Sequence, residues 1–343
     1  MSLSKDKGKQ TAIPSTIPPL PSPSAGSASP ASSLPTLWSY LFPALDHIVR
    51  SGIENIEDTE KITAPPIAVD YHMGIHTNVY NYFTAQSEST NGTKKGRSAQ
   101  ISGADLYEQL DKYYAATARE LLLGAPDDDT MLIHYLVPCF RRFYAGAASA
   151  SRLLHYVNRH YVKRAVDEDK GWLRLNDVLD AVARTIMEDD TREKIAKRLK
   201  ERRMEELKKW GYEDGGSAEL LAEAEACAEA ASTLDRIVPL ASVALRRFRT
   251  EFIEPLLKVP KIKAKGKKKR PPVMNGDKAL MPKGRLARAV KELLETQRGD
   301  DDEKRRLAME IATMLRTVGV RADQPLRKKL DKFEIATAVQ PNN

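Results

Sequence analysis

His72 and His76 stand four residues apart, and theirs is the first spacing along this chain that could do chemistry. On a helix that interval puts both imidazoles on one face, as in a two-histidine metal clamp. The stretch reads HMGIH, without the glutamate of a metalloprotease helix, and no third ligand is evident. The pair is therefore expected to serve packing or an interface, with no metal or other cofactor implied. His155 and His160 are read the same way, as packing or partner-facing groups rather than acid–base catalysts. Cys139 and Cys227 are the only cysteines, which agrees with a reducing compartment and excludes a disulfide framework or a thiolate zinc site. Each is expected to be a small buried apolar residue. The chain carries no phosphate-cradling glycine loop, nucleophile elbow, dinucleotide fingerprint or pair of catalytic carboxylates, so it is expected not to be an enzyme.

A second chemical feature is electrostatic. The chain has a formal charge of +8, and eight basic residues with no acidic ones fall between Lys258 and Arg270, leaving the remainder close to balanced. Lys263, Lys265, Lys267, Lys268, Lys269 and Arg270 form the densest part of this tract. It could act in nuclear import or contact phosphates. The plainer reading is a solvated linker kept open by like-charge repulsion and proline, with possible nuclear import as its function. Direct nucleic-acid binding is disfavoured because no aromatic residues are interleaved with the lysines. No run approaches the ~20 apolar residues of a membrane span, and the N-terminus lacks the apolar core of a signal peptide. The expected location is the cytoplasm and nucleus, with no membrane partner.

The elements that must position these residues read as helices throughout. Residues 1–35 are rich in Ser, Pro and Ala and are expected to be a disordered tail. Helical spacing begins with Trp38, Leu41, Leu45, Ile48 and Val49. Residues 71–84, YHMGIHTNVYNYFT, place His72, His76, Val79 and Phe83 on one helical stripe, with Met73, Thr77, Tyr80 and Thr84 on the next. Two such stripes exceed what one core-facing side needs, so one is expected to face a partner. A polar loop is expected over 87–100. After it, Ser102 and Asp105 are spaced as an N-cap pair before a helix carrying Leu106, Leu110, Tyr113, Tyr114, Ala118 and Leu121.

Gly124 and Pro126 end that helix, and the acidic residues 127–129 cap another bearing Leu132, Leu136, Phe140 and Phe143. A further helix is expected over 150–166, with Leu153, Val157, His160 and Arg164 on one stripe and Leu154, Asn158 and Tyr161 beside it. Beyond it lie a charged helix over 190–212, begun by Asp190 and Glu193, and an alanine-rich helix over 217–232. A core-type segment follows over 238–257, and two amphipathic helices over 285–294 and 303–318 are joined by an acidic turn at 299–302. Fraying is expected after Phe333.

Taken together, TNVYNYFTA (77–85) and YVNRHYVKR (156–164) resemble the N-terminal arm of the cullins. LWSYLFPALDHI (37–48) resembles that family's first helix, DLYEQLDKYYAATARELL (105–122) the helix after its variable loop, and VALRRFRTEFIEPL (243–256) a later segment. The last two helices, with TVGV and LDKFE, resemble the closing helices of a second repeat. The resemblance runs from about residue 37 to 334, densest in the first ~130 ordered residues.

It implies an all-α, cullin-repeat-like helical array, five-helix repeats stacked into an elongated stalk. The chain then divides into a tail (1–35), a first repeat with an adaptor-binding tip (36–166), a charged helical insertion (167–235), a partial second repeat (236–335) interrupted by the basic linker (258–284), and a short tail (336–343). The implied function is a non-catalytic scaffold arm of a cullin–RING ubiquitin ligase, in ubiquitin-dependent protein catabolism. Its implied partner is a Skp-type adaptor carrying an F-box protein. The implied adaptor contacts are His72, Met73, His76, Thr77 and Tyr80 on one helix, with Tyr156, Asn158, Arg159, His160 and Tyr161 on the other.

Three departures accompany the resemblance. His72 and His76 stand where the family usually has tyrosines. The insertion interrupts the start of the second repeat, and the chain is expected to be truncated before the cullin-homology domain. The alternatives are a truncated or decayed paralogue acting only as a protein-interaction module, and a nuclear nucleic-acid binder working through the basic tract.

Overall fold

The structure is a computed structural model that describes residues 33–50, 63–92, 102–184, 191–259, 284–295 and 301–338. The N-terminal residues 1–32, Asp190 and the dense part of the basic tract, Lys263, Lys265, Lys267, Lys268, Lys269 and Arg270, lie outside the described residues. Among the described residues every regular element is a helix, so the chain is an all-α helical array. None of these helices is long and apolar enough to cross a membrane.

Helix α1 spans Leu34–Val49, begun by Ser33, whose hydroxyl accepts the Thr36 amide, with Pro35 in the first turn. Its buried residues Leu37, Leu41, Ala44, Leu45 and Ile48 repeat every three to four positions, which gives it one apolar face. Helix α2 spans Val69–Gly92 and buries Tyr71, Ile75, Val79, Tyr82 and Phe83. It runs into the stretch expected to be a loop, because each further residue adds a backbone hydrogen bond even after the apolar stripe ends.

Helix α3, Ala104–Leu123, does not use the expected Ser102–Asp105 cap. Gly103 takes the N-cap position at φ +88°, where an added Cβ would lie 2.1 Å from the Phe83 ring. Asp105 instead accepts from the Tyr82 hydroxyl and from Gln86 Nε2, the latter at 2.9 Å, which ties α3 to α2. Helix α4, Asp129–Leu153, is capped as expected by Asp128, which accepts the Thr130 amide. On α4, Gly146 meets the α1 backbone; a Cβ there would sit 2.9 Å from Ile48 O and Val49 Cα. That close approach locks the first and fourth helices together.

The helix expected over 150–166 is divided by a break at Leu154, its first residues ending α4 and the rest forming α5. It runs as His155–Val157, then a π turn Asn158–Val162, then Lys163–Asp167. Helices α6 (Leu175–Ala183), α7 (Arg192–Lys208) and α8 (Ala218–Ala231) follow. Thr191 caps α7, its hydroxyl accepting the Lys194 amide, with Glu193 in the first turn. Leu207, Trp210 and Tyr212 pack with Ala224, Cys227 and Ala228 in a small satellite core.

Helix α9 contains a second π turn and runs as Leu240–Phe248, Arg249–Ile253 and Glu254–Leu257. It packs against α3, α4 and α8. Helices α10 (Arg285–Glu295), α11 (Asp301–Thr317) and α12 (Pro325–Ala338) complete the array. Of the turn expected at 299–302, residues 299 and 300 lie outside the described residues, while Asp301 and Asp302 join Glu303 in the first turn of α11, where they suit the positive end of the helix dipole. Helix α12 continues past Phe333, where fraying was expected.

One buried cluster runs from Leu37 on α1 to Leu330 on α12. Polar ties reinforce it. Tyr107 Oη on α3 donates to Val238 O at 2.9 Å and accepts from Val238 N at 3.0 Å. Asp111 accepts from Arg247 through both carboxylate oxygens. Arg246, 1% exposed, donates to the carbonyls of Thr233 and Arg236 at 2.9 and 2.8 Å. Arg249 donates to the carbonyls of Ala230, Ala231 and Ser232, satisfying the otherwise unpaired C-terminal end of α8.

Candidate functional site

The two stretches singled out in sequence meet. Helices α2 and α5 pack side by side, and α2 turns Tyr71, Ile75, Val79 and Tyr82 to the core. His72, Met73, Thr77, Tyr80 and Asn81 are left exposed, Met73 by 58% and Tyr80 by 48%. The stripe expected to combine His72, His76, Val79 and Phe83 is thereby split: Val79 and Phe83 are buried, His76 is half-buried, and His72 is exposed.

Helix α5 presents His155, Arg159 and His160 to solvent, with Tyr156 half-buried in the seam. Tyr156 is the hub of the aromatic contacts. Its ring meets His160 in a stack at 4.0 Å, and meets Phe83, Tyr80 and His76 edge-to-face at 5.3, 5.7 and 6.1 Å. His76 also stacks on His155 at 5.5 Å. Edge-to-face and offset-stacked geometries are the favourable ones for such rings, so the cluster is held in shape before any partner arrives.

Burial pushes the Tyr156 hydroxyl up, with Tyr80 adding to the effect and Arg159 opposing it. His160 titrates below the ordinary histidine value, because partial burial and then the neighbouring Arg159 and His155 all disfavour its charged form. Thr77 is exposed and donates its hydroxyl to the Met73 carbonyl one turn back.

Two of the ten expected contact residues face inward. Tyr161 is 7% exposed and packs on Tyr107 with ring centroids 5.0 Å apart. Asn158 donates to Ser151 Oγ and accepts the Leu240 amide, both at 3.0 Å, so it caps α9. The π turn is the reason. It adds one residue to the turn, so the core stripe begun by Leu153 and Val157 continues at Tyr161 and Ala165 instead of His160 and Arg164. His72, Met73, His76, Thr77, Tyr80, Tyr156, Arg159 and His160 remain together at the surface or in the seam.

Among the described residues no group of three or more His, Cys, Asp or Glu side chains is placed to hold a metal ion. Cys139 and Cys227 are both buried, and burial pushes both thiols up, away from the thiolate. What the arrangement can do is bind. It combines exposed aromatic and methionine surface with a polar, cationic border, the make-up of a protein interface.

No family model matches the chain, and no solved structure matches it. Curated relatives match in part. Cell division control protein 53 of Saccharomyces cerevisiae is 23% identical over 141 residues, which is 40% of this chain and 17% of that protein. Cullin-1 of Dictyostelium discoideum is 30% identical over 105 residues, which is 29% of this chain and 14% of that protein. The chain thus matches less than a fifth of the length of these relatives. Over part of its length it is related to the cullins.

Proposed function

We propose that this chain is a non-catalytic, cullin-like scaffold arm that docks a Skp-type adaptor, carrying an F-box protein, on the α2–α5 face. The observation that carries the reading is the Tyr156-centred cluster. It joins two segments far apart in sequence into one preformed surface, with Met73 and Tyr80 exposed beside it. Preformed aromatic surface lowers the ordering cost of association and supplies the anchors on which interface energy concentrates. The partial similarity to cullins supports the same direction. The biological setting that follows is ubiquitin-dependent protein catabolism, with ubiquitin-ligase components as partners in the cytoplasm and nucleus.

The test is a titration of the full chain with a Skp-type adaptor, alongside Tyr80→Ala and Tyr156→Ala. Each substitution should weaken binding by ~10-fold or more, with the helical circular-dichroism signal retained. Absence of binding by the unaltered chain, or equal binding by all three proteins, would overturn the reading.

A second reading is favoured by one observation. His76, where the family usually has tyrosine, stacks on His155 and closes the cluster on itself. On that reading the chain is an interaction module that has lost this adaptor. His72→Tyr together with His76→Tyr separates the two, since a large gain in adaptor affinity would mark a decayed site.

A further inference from the structure

Resting on that docking reading, we infer that the α2–α5 face fits an acidic protein surface, which it engages with Arg152, Arg159 and Lys163 beside its aromatic cluster. Between Arg152 and Arg164 every exposed side chain is basic or histidine: Arg152, His155, Arg159, His160, Lys163 and Arg164. Leu153, Leu154, Val157, Tyr161 and Val162 between them point into the core. Arg152 lies in the last turn of α4, and the row continues along α5 from His155 to Arg164, nine steps that make it roughly 13 Å long there.

The way this chain treats its other surface cations shows why the row is unusual. Elsewhere carboxylates stand one turn away, as with Lys112 and Glu108, Arg202 with Glu205 and Glu206, Lys209 and Glu206, or Lys291 and Glu295. On the row, Arg164 pairs with Glu168 at 3.4 Å and Lys163 has Asp167 one turn away, whereas no carboxylate stands within one turn of Arg152 or Arg159 on either side. The facing helix does not supply the missing charge. From Tyr71 to Ser87, α2 contains no Asp or Glu; Asp70 and Glu88 flank the stretch. An ordinary solvated helix gains from interspersed signs, and a row of like charge costs a little stability by self-repulsion. A partner carboxylate placed along it would relieve that repulsion while also adding attraction.

The row belongs to the docking face rather than to a separate patch. His155 stacks on His76, and His160 stacks on Tyr156. Arg159 lies close enough to disfavour protonation of His160. A partner seated on Met73 and Tyr80 therefore meets the cations along one border.

Nucleic acid fits less well. Bases need free aromatic faces to stack on, whereas the rings of this cluster are turned against one another. The opposite border is neutral, formed by Thr77 and Asn81, so a second backbone would find no cations there.

The experiment measures binding of the full chain and of the Arg152→Gln, Arg159→Gln, Lys163→Gln triple variant at about 50 and about 500 mM salt. The probes are the Skp-type adaptor, a poly-glutamate peptide and a single-stranded oligonucleotide. All three substitutions are at exposed positions, and thermal unfolding confirms that the fold is kept. The inference expects adaptor affinity to fall by ~10-fold or more between the two salts, and by a similar factor in the triple variant at low salt.

Adaptor binding that is indifferent to salt and to the triple substitution overturns the inference and leaves the docking reading standing. If the adaptor does not bind but poly-glutamate does, and the triple variant loses that binding, the acidic specificity holds and the docking reading falls. Loss confined to the oligonucleotide overturns the inference in favour of nucleic acid. Failure of both adaptor and peptide to bind overturns both.

Discussion

The His76 ring on α2 stacks on the His155 ring on α5, with centroids 5.5 Å apart and planes 19° from parallel. The contact joins α2 to α5 within the proposed docking face, beside Arg159 and with no acidic residue on α2 between Asp70 and Glu88.

His160, stacked on Tyr156 in the same seam, should make stability depend on pH. Its folded-state titration lies below the ordinary histidine value, so between the two values the unfolded chain binds more protons than the folded one. Its contribution to stability is full above about pH 6.5 and declines as pH falls below it. Imidazole proton shifts followed across pH should place the His160 midpoint below that of an exposed histidine. Arg159→Gln should move it upward, and an unchanged midpoint would refute the role given to Arg159.

Tyr161 and Tyr80 should separate stability from binding. Tyr161→Ala removes a buried ring packed on Tyr107 and should cost about 3–5 kcal/mol. Tyr80→Ala acts at an exposed ring and should cost less than about 1 kcal/mol while weakening docking. Urea unfolding of both variants checks the difference, and comparable losses would contradict the burial assigned to Tyr161.

Glu229 on α8 should make stability fall at alkaline pH. Its carboxylate accepts the Ser242 hydroxyl from α9 at 2.5 Å, yet burial dominates and pushes it up to about 7, with Ser242 opposing and Glu225 adding to the rise. The folded state thus holds the proton more tightly than the unfolded one. The contribution is full below the unfolded value near 4.5 and is lost as pH rises through about 7. Glu229→Gln keeps an acceptor for Ser242 and removes the buried charge. At pH above about 8 it should be more stable than the unaltered chain by on the order of 3 kcal/mol, with the advantage shrinking towards pH 5. Parallel curves across that range would refute the assignment.

Gly319 should tolerate no side chain. It ends α11 at φ +81°, and a Cβ there would lie 2.3 Å from Ala231 N at the end of α8. Gly319→Ala should therefore destabilise the chain by more than about 1 kcal/mol, whereas Gly215→Ala, with nothing within 4 Å, should carry only the strain of its own positive φ. Thermal unfolding of the two variants makes the comparison.

The helices themselves were legible in the sequence because their cause is local. The three-to-four spacing of Leu37, Leu41, Leu45 and Ile48, the Asp128 cap, and the core pattern of Leu240, Val243, Phe248, Phe252 and Leu256 all lie within one helix each. So does the surplus stripe of Met73, Thr77 and Tyr80, which pointed to a binding face before any fold was in view.

Other features were decided only by contacts between segments remote in sequence. The π turn at 158–162 moves the buried stripe by one residue, from His160 to Tyr161, and no local propensity marks that step. Asn158 is taken out of the surface by the Leu240 amide, and Asp105 is taken from its expected cap by Tyr82 and Gln86. The seam where His76 meets His155 exists only because α2 and α5 pack together. Periodicity within a helix determines which residues share a side, but the neighbouring helix decides whether that side is buried. The sequence alone therefore determined the helices and the residues of the proposed docking face. Tertiary packing decided which of those residues a partner can reach.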